Sequence, residues 1–142
     1  MKLSVSNIAW THGERLEAYA LLQRFGISGL EIAPGVLFAG QADVFDPAPA
    51  VARQALQEIA AAGLQLTSMQ AVLFGVEGAA LFGTAEERAR FENAMRRAIN
   101  FAGRFGIPNL VFGAPRQRVV PQDMPQAQAW DLALERFRAC WS

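Results

Sequence analysis

The 142-residue sequence has very few cysteine and histidine residues, the side chains that form disulfides and many metal sites. It contains one cysteine, Cys140, and one histidine, His12. A single cysteine excludes a disulfide within the chain and a metal cluster made of cysteines alone, and a single histidine excludes a site with several histidine ligands. Because nothing in this composition calls for an oxidising compartment, we predict a cytoplasmic protein.

The sequence also lacks an excess of charge and any long apolar run. Its 13 basic residues balance 13 acidic residues, which argues against a nucleic acid or a membrane surface as a partner. No apolar run has the length of a membrane span, and the N-terminal run is too short for a signal peptide. A Gly-x-Gly-x-x-Gly after the first predicted strand and a lysine-bearing phosphate loop are both missing, which counts against a Rossmann-like nucleotide site.

The sequence does contain a pattern that occurs three times: a helix end, a glycine, a short apolar run and a loop. This pattern is clearest at residues 105–116, and it recurs at residues 25–34 and, more loosely, at residues 62–70. The three glycines, Gly26, Gly63 and Gly106, are spaced roughly 40 residues apart, a period that is typical of βα units. With 52% hydrophobic residues, the chain suits one domain built around a buried parallel sheet.

Hydrophobic periodicity predicts four strands that alternate with four helices. The predicted strands are residues 3–8, 30–33, 66–70 and 110–113, and the predicted helices are residues 11–25, 46–63, 84–105 and 123 onward. Capping boxes are predicted at Thr11 and Thr84, and an N-cap at Asp46. Helical spacing predicts a buried face in the first and third helices and a shared face in the fourth. The predicted faces are Ala18, Leu21, Leu22 and Phe25; Phe91, Ala94, Met95, Ala98, Ala102 and Phe105; and the shared face of Trp130, Ala133, Leu134, Phe137 and Trp141. Loops after the strands are longer than loops before them, so we expect the functional side at the carboxyl ends of the strands. Two hypotheses fit this pattern: a small doubly wound sheet, or the front half of a TIM barrel.

Four motifs, one at each predicted strand, resemble the sugar phosphate isomerase/epimerase family of xylose-isomerase-like TIM barrels. The motifs are Ser6-Asn7-Ile8-Ala9-Trp10, Leu30-Glu31-Ile32-Ala33-Pro34, Ser68-Met69-Gln70-Ala71-Val72-Leu73-Phe74-Gly75 and Val111-Phe112-Gly113-Ala114-Pro115-Arg116. The resemblance implies an α/β fold of four parallel βα units, equivalent to the N-terminal half of a (β/α)8 barrel. It thereby implies that residues 1–142 are a single, apparently truncated, barrel domain.

The same resemblance implies a metal-dependent sugar or sugar-phosphate isomerase or epimerase. In that family a divalent metal (Mn, Mg, Co or Zn) is held by Glu, Asp, His and Glu on later strands, which would follow residue 142. We therefore expect the chain to supply only the substrate side, to hold no metal by itself and to be inactive alone. The alternatives are an AP-endonuclease-like hydrolase of the same superfamily, disfavoured by one histidine and zero net charge, and a non-catalytic half barrel. Such a half barrel would form a homodimer through its open sheet edges or bind a partner chain.

Polar residues near the ends of the predicted strands are the candidates for contact with a small sugar or sugar phosphate. Glu31 lies between apolar residues within a strand, so it is either a pocket carboxylate that orients sugar hydroxyls or one half of an internal ion pair. His12 either lines the pocket or belongs to a helix cap. The amides of Asn7 and Gln70 and the ring of Trp10 suit a sugar, but they also suit bonding between loops. Arg116 and Arg118 either bind a phosphate or carboxylate group or are solvated. The predicted substrate-binding set is Glu31, Gln70, Asn7, Trp10, His12, Arg116 and Arg118.

Overall fold

The computed structural model describes residues 3–141, with all of their side chains except that of Trp141. Three parallel strands form one sheet in the order β1-β2-β3: β1 (Ser4–Ser6), β2 (Gly29–Ile32) and β3 (Gln65–Met69). Five helices follow the chain: α1 (Arg15–Arg24), α2 (Pro34–Leu37), α3 (Pro49–Ala61), α4 (Ala85–Phe105) and α5 (Gln126–Trp141). Two short 3-10 turns, Asn7–Ala9 and His12–Glu14, connect β1 to α1.

The predicted half barrel of four βα units is wrong, although the mixture of helices and parallel strands is present. Residues 110–113 form a single parallel bridge between Leu110 and Met69 in place of a fourth strand. The Val111 N–H donates to the Met69 carbonyl at 2.7 Å, and the Met69 N–H donates to the Asn109 carbonyl at 2.9 Å. Pairing does not extend further, because the Thr67 carbonyl accepts the Asn109 side-chain amide at 3.0 Å, and Ala71, with a φ of 58°, leaves the extended conformation soon after Met69.

Close contact between β1 and β2 depends on Gly29. A Cβ atom at this position would lie 2.8 Å from the Leu3 carbonyl oxygen and 2.8 Å from the Ser4 Cβ, which is closer than real Cβ atoms approach other heavy atoms. The glycine therefore allows β2 to pair with β1 from its first residue, where Ser4 lies opposite Gly29. The register continues to Ser6 opposite Glu31, which places two polar residues side by side near the carboxyl ends of both strands.

Helix α4 has the start, the end and most of the inward face that the sequence predicts. The Thr84 N–H donates to a Glu87 carboxylate oxygen at 2.7 Å, and the Glu87 N–H donates to the Thr84 hydroxyl at 3.3 Å, so the predicted capping box is confirmed. The helix ends at Gly106, whose φ of 64° lies in the left-handed region where a glycine carries no Cβ penalty. Its buried face comprises Phe91, Ala94, Met95, Ala98, Phe101 and Ala102.

The predicted inward face of α1 is partly wrong. Leu21 and Phe25, expected in the core, are 52% and 68% exposed, whereas Tyr19 and Leu22 are buried. The reason is topological: α1 lies by β1 at the end of the sheet, so its outer flank has no neighbouring element among residues 3–141. Periodicity shows that a helix has an apolar flank, but it does not show whether the fold covers that flank.

The predicted caps and faces of the other helices are also corrected in part. Asp46 does not cap α3, because that helix begins at Pro49 and the carboxylate of Asp46 pairs instead with Arg104 at 2.8 Å. In α5, Trp130 and Leu134, which helical spacing places on a shared apolar face, are 68% and 41% exposed. The prediction that Trp141 shares their face lies outside the described side chains. Every helix within residues 3–141 is too short or too polar to cross a membrane.

A bidentate ion pair fastens α1 to α3. The Arg15 guanidinium donates to both carboxylate oxygens of Glu58, at 2.7 and 3.0 Å, and also donates to the His12 carbonyl at 3.0 Å. The hydrogen bonds from Arg15 lower the pKa of Glu58 from its ordinary value of 4.5, despite the opposing effect of burial. Both side chains are about four-fifths buried, so solvent screens this pair less than an exposed one.

We expect Glu58→Gln to reduce the free energy of unfolding by about 1 kcal/mol at pH 7. Because folding lowers the pKa of Glu58, its contribution is fully present above the ordinary pKa of 4.5 and is lost as the pH falls through the lowered folded-state value. The stability difference between wild type and E58Q should therefore shrink on acidification below that point. Urea unfolding across pH 3 to 7 tests this, with Glu86→Gln as the exposed control; a difference that stays constant with pH would contradict it.

Candidate functional site

Four polar side chains form a hydrogen-bonded line across the carboxyl ends of the sheet. Strand register places Ser6 beside Glu31 and Glu31 beside Ser68, and Gln70 follows directly after β3. The Ser68 hydroxyl donates to one carboxylate oxygen of Glu31 at 2.7 Å, and the Gln70 amide donates to the other at 2.8 Å. The same amide nitrogen donates to the Ser6 hydroxyl oxygen at 2.7 Å. We call Ser6, Glu31, Ser68 and Gln70 the polar line.

The carboxylate of Glu31 is held by neutral partners. Both of its oxygens accept a hydrogen bond from a hydroxyl or an amide, and Glu31 takes part in no ion pair among the residues that the structure describes. The side chain is half-buried, so one part of it remains open to solvent. An ionised carboxylate has about four acceptor positions, and two donors leave capacity for further O–H or N–H donors from a ligand.

A cavity of about 320 Å³ lies next to the polar line and shares Gln70 with it. Its wall also includes Ala71, Phe74, Val111 and Ala114. Ala71 and Ala114 have φ angles of 58° and 30°, in the left-handed region that residues with a Cβ rarely adopt. Each follows a segment that pairs with the sheet or bridges to it, and backbone strain of this kind concentrates at binding and active sites. The cavity meets the polar line at Gln70, and we treat the two together as the candidate site.

The structure places Asn7 in a supporting position beside this site. Its side chain is 1% exposed. Its Oδ1 accepts from the Ala33 N–H at 2.7 Å, and its Nδ2 donates to the Ala33 carbonyl at 3.3 Å. The Asn7 amide thus supplies the partner of the Ala33 N–H and adds a donor to the Ala33 carbonyl, which also accepts from the Val36 and Leu37 N–H groups at 3.0 and 3.1 Å. Ala33 directly follows β2. The amide ties the end of β1 to the end of β2 and leaves no polar atom without a partner in its buried position.

Trp10 contacts α1 and His12 contacts α2, each through a partner outside the polar line. The Trp10 ring meets the Tyr19 ring edge to face, with centroids 6.1 Å apart. The His12 Nδ1 lies 3.1 Å from the Val36 carbonyl oxygen. Neither side chain hydrogen-bonds to the polar line in residues 3–141. Glu14 also reaches back to the Thr11 N–H at 2.9 Å, the contact expected from the predicted cap around His12.

Arg116 and Arg118 lie on the exposed loop that borders the cavity. Between them, Gln117 contributes to the cavity wall and accepts the Leu81 N–H with its carbonyl at 2.7 Å, which anchors the loop. Neither guanidinium makes a hydrogen bond or an ion pair within residues 3–141. The loop therefore holds two unneutralised positive charges at the rim, while their side chains extend into solvent.

The residues at this site do not fit a divalent metal. Nowhere in residues 3–141 do three or more histidine, cysteine, aspartate or glutamate side chains come together in a way that could hold a metal ion. Around Glu31 the immediate neighbours are two hydroxyls and an amide, which are weak ligands compared with a second carboxylate or an imidazole. No chemical step is assigned to a metal here.

Two members of the polar line, Ser6 and Ser68, were missed as site residues by sequence reasoning. The signal that could have identified them is strand register, because each lies beside Glu31 on a neighbouring strand and points to the same face. Register depends on long-range pairing, which residue type alone does not show. Comparison with models of protein families and with curated protein sequences found no match for this chain.

Proposed function

We propose that this chain binds a sugar or sugar phosphate at the carboxyl edge of its sheet, as an isomerase/epimerase-like protein of the kind its motifs resemble. The observation that carries the proposal is the polar line, in which an unpaired carboxylate and an amide meet beside a cavity. Carbohydrates present adjacent hydroxyl groups, which are both donors and acceptors. The free acceptor positions of the Glu31 carboxylate and of the Gln70 amide oxygen can take the O–H donors of such hydroxyls in strong, directional hydrogen bonds.

The orientation of Gln70 supports a role in binding. Its nitrogen donates to both Ser6 and Glu31, which accounts for both amide hydrogens. The amide oxygen accepts no hydrogen bond in residues 3–141, so it is available to a ligand hydroxyl. Glu31 then offers acceptors on one side and Gln70 offers an acceptor beside the cavity, and the fixed geometry lowers the entropy lost on binding.

The rest of the cavity suits the remaining parts of such a ligand. Phe74, Val111 and the two alanines give an apolar wall for the C–H face of a sugar ring, a combination that is common in small-molecule sites. The rim carries Arg116 and Arg118, whose guanidinium groups suit a phosphate. This arrangement favours a sugar phosphate over a neutral sugar. The proposal concerns binding, and it assigns no proton transfer to these residues.

We expect Glu31→Gln to weaken binding of a sugar or sugar phosphate by about tenfold or more, because a charged hydrogen-bond acceptor is replaced by a neutral amide. The measurement is an NMR titration of the full chain with a panel of aldoses, ketoses and their monophosphates, following the side-chain amide signal of Gln70. The matched control is Glu77→Gln, which makes the same change on an exposed loop residue. Thermal unfolding of both variants checks that the fold is retained.

Arg116→Ala tests the role of the phosphate group. This variant should weaken the binding of the sugar monophosphates and leave the binding of the neutral sugars unchanged. The proposal fails if no sugar or sugar phosphate in the panel changes the chemical shift of the Gln70 side-chain amide at millimolar concentration. It also fails if E31Q binds the panel as tightly as the E77Q control.

A further inference from the structure

A second feature of the molecule, separate from the polar line, is a groove along β1 and α1 at the end of the sheet. It encloses about 670 Å³ and has an apolar floor that includes Val5, Ala18 and Leu21. The acidic and the basic residues that line the groove lie at opposite ends of α1. Glu14 and Glu17 lie toward the N-terminal end of the helix, and Arg24 lies at the C-terminal end.

The outer edge of β1 has backbone groups that β2 does not use. The Leu3 carbonyl accepts from the Gly29 N–H at 3.1 Å, so the backbone of Leu3 faces β2. Alternation along the strand turns Val5 toward β2 as well, and turns the N–H and C=O of Ser4 and the N–H of Ser6 outward. No strand pairs with this edge in residues 3–141. An unpaired edge beside an exposed apolar flank is a template for a further strand.

We propose that a second copy of this chain covers the groove, related to the first by a two-fold axis that passes beside Val5. Around such an axis the two β1 strands run antiparallel, with Ser4 of each copy opposite Ser6 of the other. Outward-facing groups then meet as a hydrogen-bonded pair, and the two Val5 side chains meet at the axis. The sheet becomes continuous across the two copies, and both α1 helices lie on the same face.

Charge complementarity argues for a second copy over any other occupant. Antiparallel strands bring the two α1 helices together in antiparallel orientation. Glu17 and Arg24 are seven residues apart, about 10 Å along the helix, and the point midway between them is at Ala20 and Leu21. A crossing at that point places Glu17 of each copy beside Arg24 of the other. Neither residue has an ion-pair partner in residues 3–141, so both charges are available.

The exposed apolar side chains at this edge supply the remaining contact. Leu3 and Leu21 are 50% and 52% exposed. Leu3 directly precedes β1 and Leu21 lies in α1, the two elements that would contact the same elements of the second copy. The small side chain of Ala20 allows the helices to approach closely. Alternation puts Val5 and Ser6 on opposite faces of the sheet, so the α1 helices meet on the face away from the polar line, and only the small Ser4 side chain of the second copy comes beside Ser6. The inference therefore does not depend on the proposed function, and each fails separately.

Charge reversal tests this pairing without disturbing the core. Over a concentration series in analytical ultracentrifugation, the wild type should convert from a 15.4 kDa species to one of twice that mass. Glu17→Arg and Arg24→Glu should each raise the dimer dissociation constant about tenfold, because each creates two like-charge contacts across the axis. The double variant E17R/R24E restores opposite charges and should recover dissociation near the wild-type value.

Two controls separate this edge from the rest of the surface. Arg53→Glu reverses a charge on the exposed side of α3, and Val111→Lys adds a charge at the opposite end of the sheet; both should dimerise like wild type. A wild type that remains monomeric throughout the series overturns the inference. So does a double variant that associates as weakly as the single ones, or an association that V111K abolishes and E17R leaves intact.

Discussion

Replacing Phe101 with alanine is expected to lower the free energy of unfolding by about 3–5 kcal/mol, the cost of removing a large aromatic side chain from a packed core. Phe101 is 2% exposed. Its ring stacks on Phe105 with centroids 4.4 Å apart and meets the rings of Phe38 and Phe45 edge to face at 6.0 and 5.7 Å. One ring thus joins α4, the residue after α2 and the loop before α3, so its loss affects three contacts at once.

Urea unfolding followed by far-UV circular dichroism measures this effect. The control is Phe25→Ala, which removes the same side chain from a position that is 68% exposed. We expect F25A to cost less than about 1 kcal/mol, because little apolar area is returned to water. If the chain dimerises, both variants must be compared at equal concentration, since dissociation contributes to the apparent stability. Equal losses in F101A and F25A would show that the aromatic cluster is not the core.

The importance of Phe101 is hard to predict from the sequence, because its partners come from a segment expected to be a loop. The inward face predicted for this helix includes Phe91, Met95 and Phe105 and leaves out Phe101. Helix α2 is only one turn long, and it begins at Pro34, where the fixed φ favours the start of a helix. Four residues are too few to show a periodic pattern, so both α2 and the apolar pocket that its neighbour Phe38 completes are found only in three dimensions.

The fold shows the same division between local and long-range information. The helix end at Gly106 and the capping box at Thr84 are properties of a few adjacent residues, and both are confirmed. The fourth strand at residues 110–113 is wrong, because an apolar run becomes a strand only when a neighbour supplies enough partners. The apolar flank of α1 at Leu21 is exposed for a related reason, since nothing in residues 3–141 covers it.

The candidate site was predictable in part. Position within a predicted strand selected Glu31, position at the end of one selected Gln70, and the structure brings these two side chains into contact at 2.8 Å. The same criterion selected Asn7, whose amide is engaged by the backbone of Ala33. Sequence alone does not separate these cases, because an amide at a strand end can turn toward a ligand or toward the next strand. The direction depends on which backbone groups lack partners.

Asn7 provides the second large effect that we expect. Asn7→Leu keeps a side chain of similar size but removes the only partner of the buried Ala33 N–H, while the Ala33 carbonyl keeps the Val36 and Leu37 N–H donors. We expect a loss of about 1–3 kcal/mol, the cost of one unsatisfied buried group. Asn109→Leu is the matched control, because the amide of Asn109 also donates to a backbone carbonyl, that of Thr67 at 3.0 Å, but is exposed. A loss in N7L no larger than in N109L would contradict a buried structural role.

Asn7→Asp tests the same structural role of Asn7 through the pH dependence of the free energy of unfolding. In this variant one carboxyl oxygen can still accept the Ala33 N–H, but the ionised group has no hydrogen to donate to the Ala33 carbonyl and is buried. Burial and the facing carbonyl both raise the folded-state pKa of the introduced carboxyl above its unfolded value of about 3.9. Below the unfolded value the protonated acid can donate as the amide does, so N7D should approach wild-type stability. As the pH rises from the unfolded value toward the raised folded-state pKa, the loss should grow, and above that pKa it should level off at about 3 kcal/mol. Urea unfolding of N7D and wild type at matched pH values between 3 and 8 measures this difference, with N109D as the control. A difference that is independent of pH, or that grows on acidification, would show that the Asn7 amide does not bridge the two strands through Ala33.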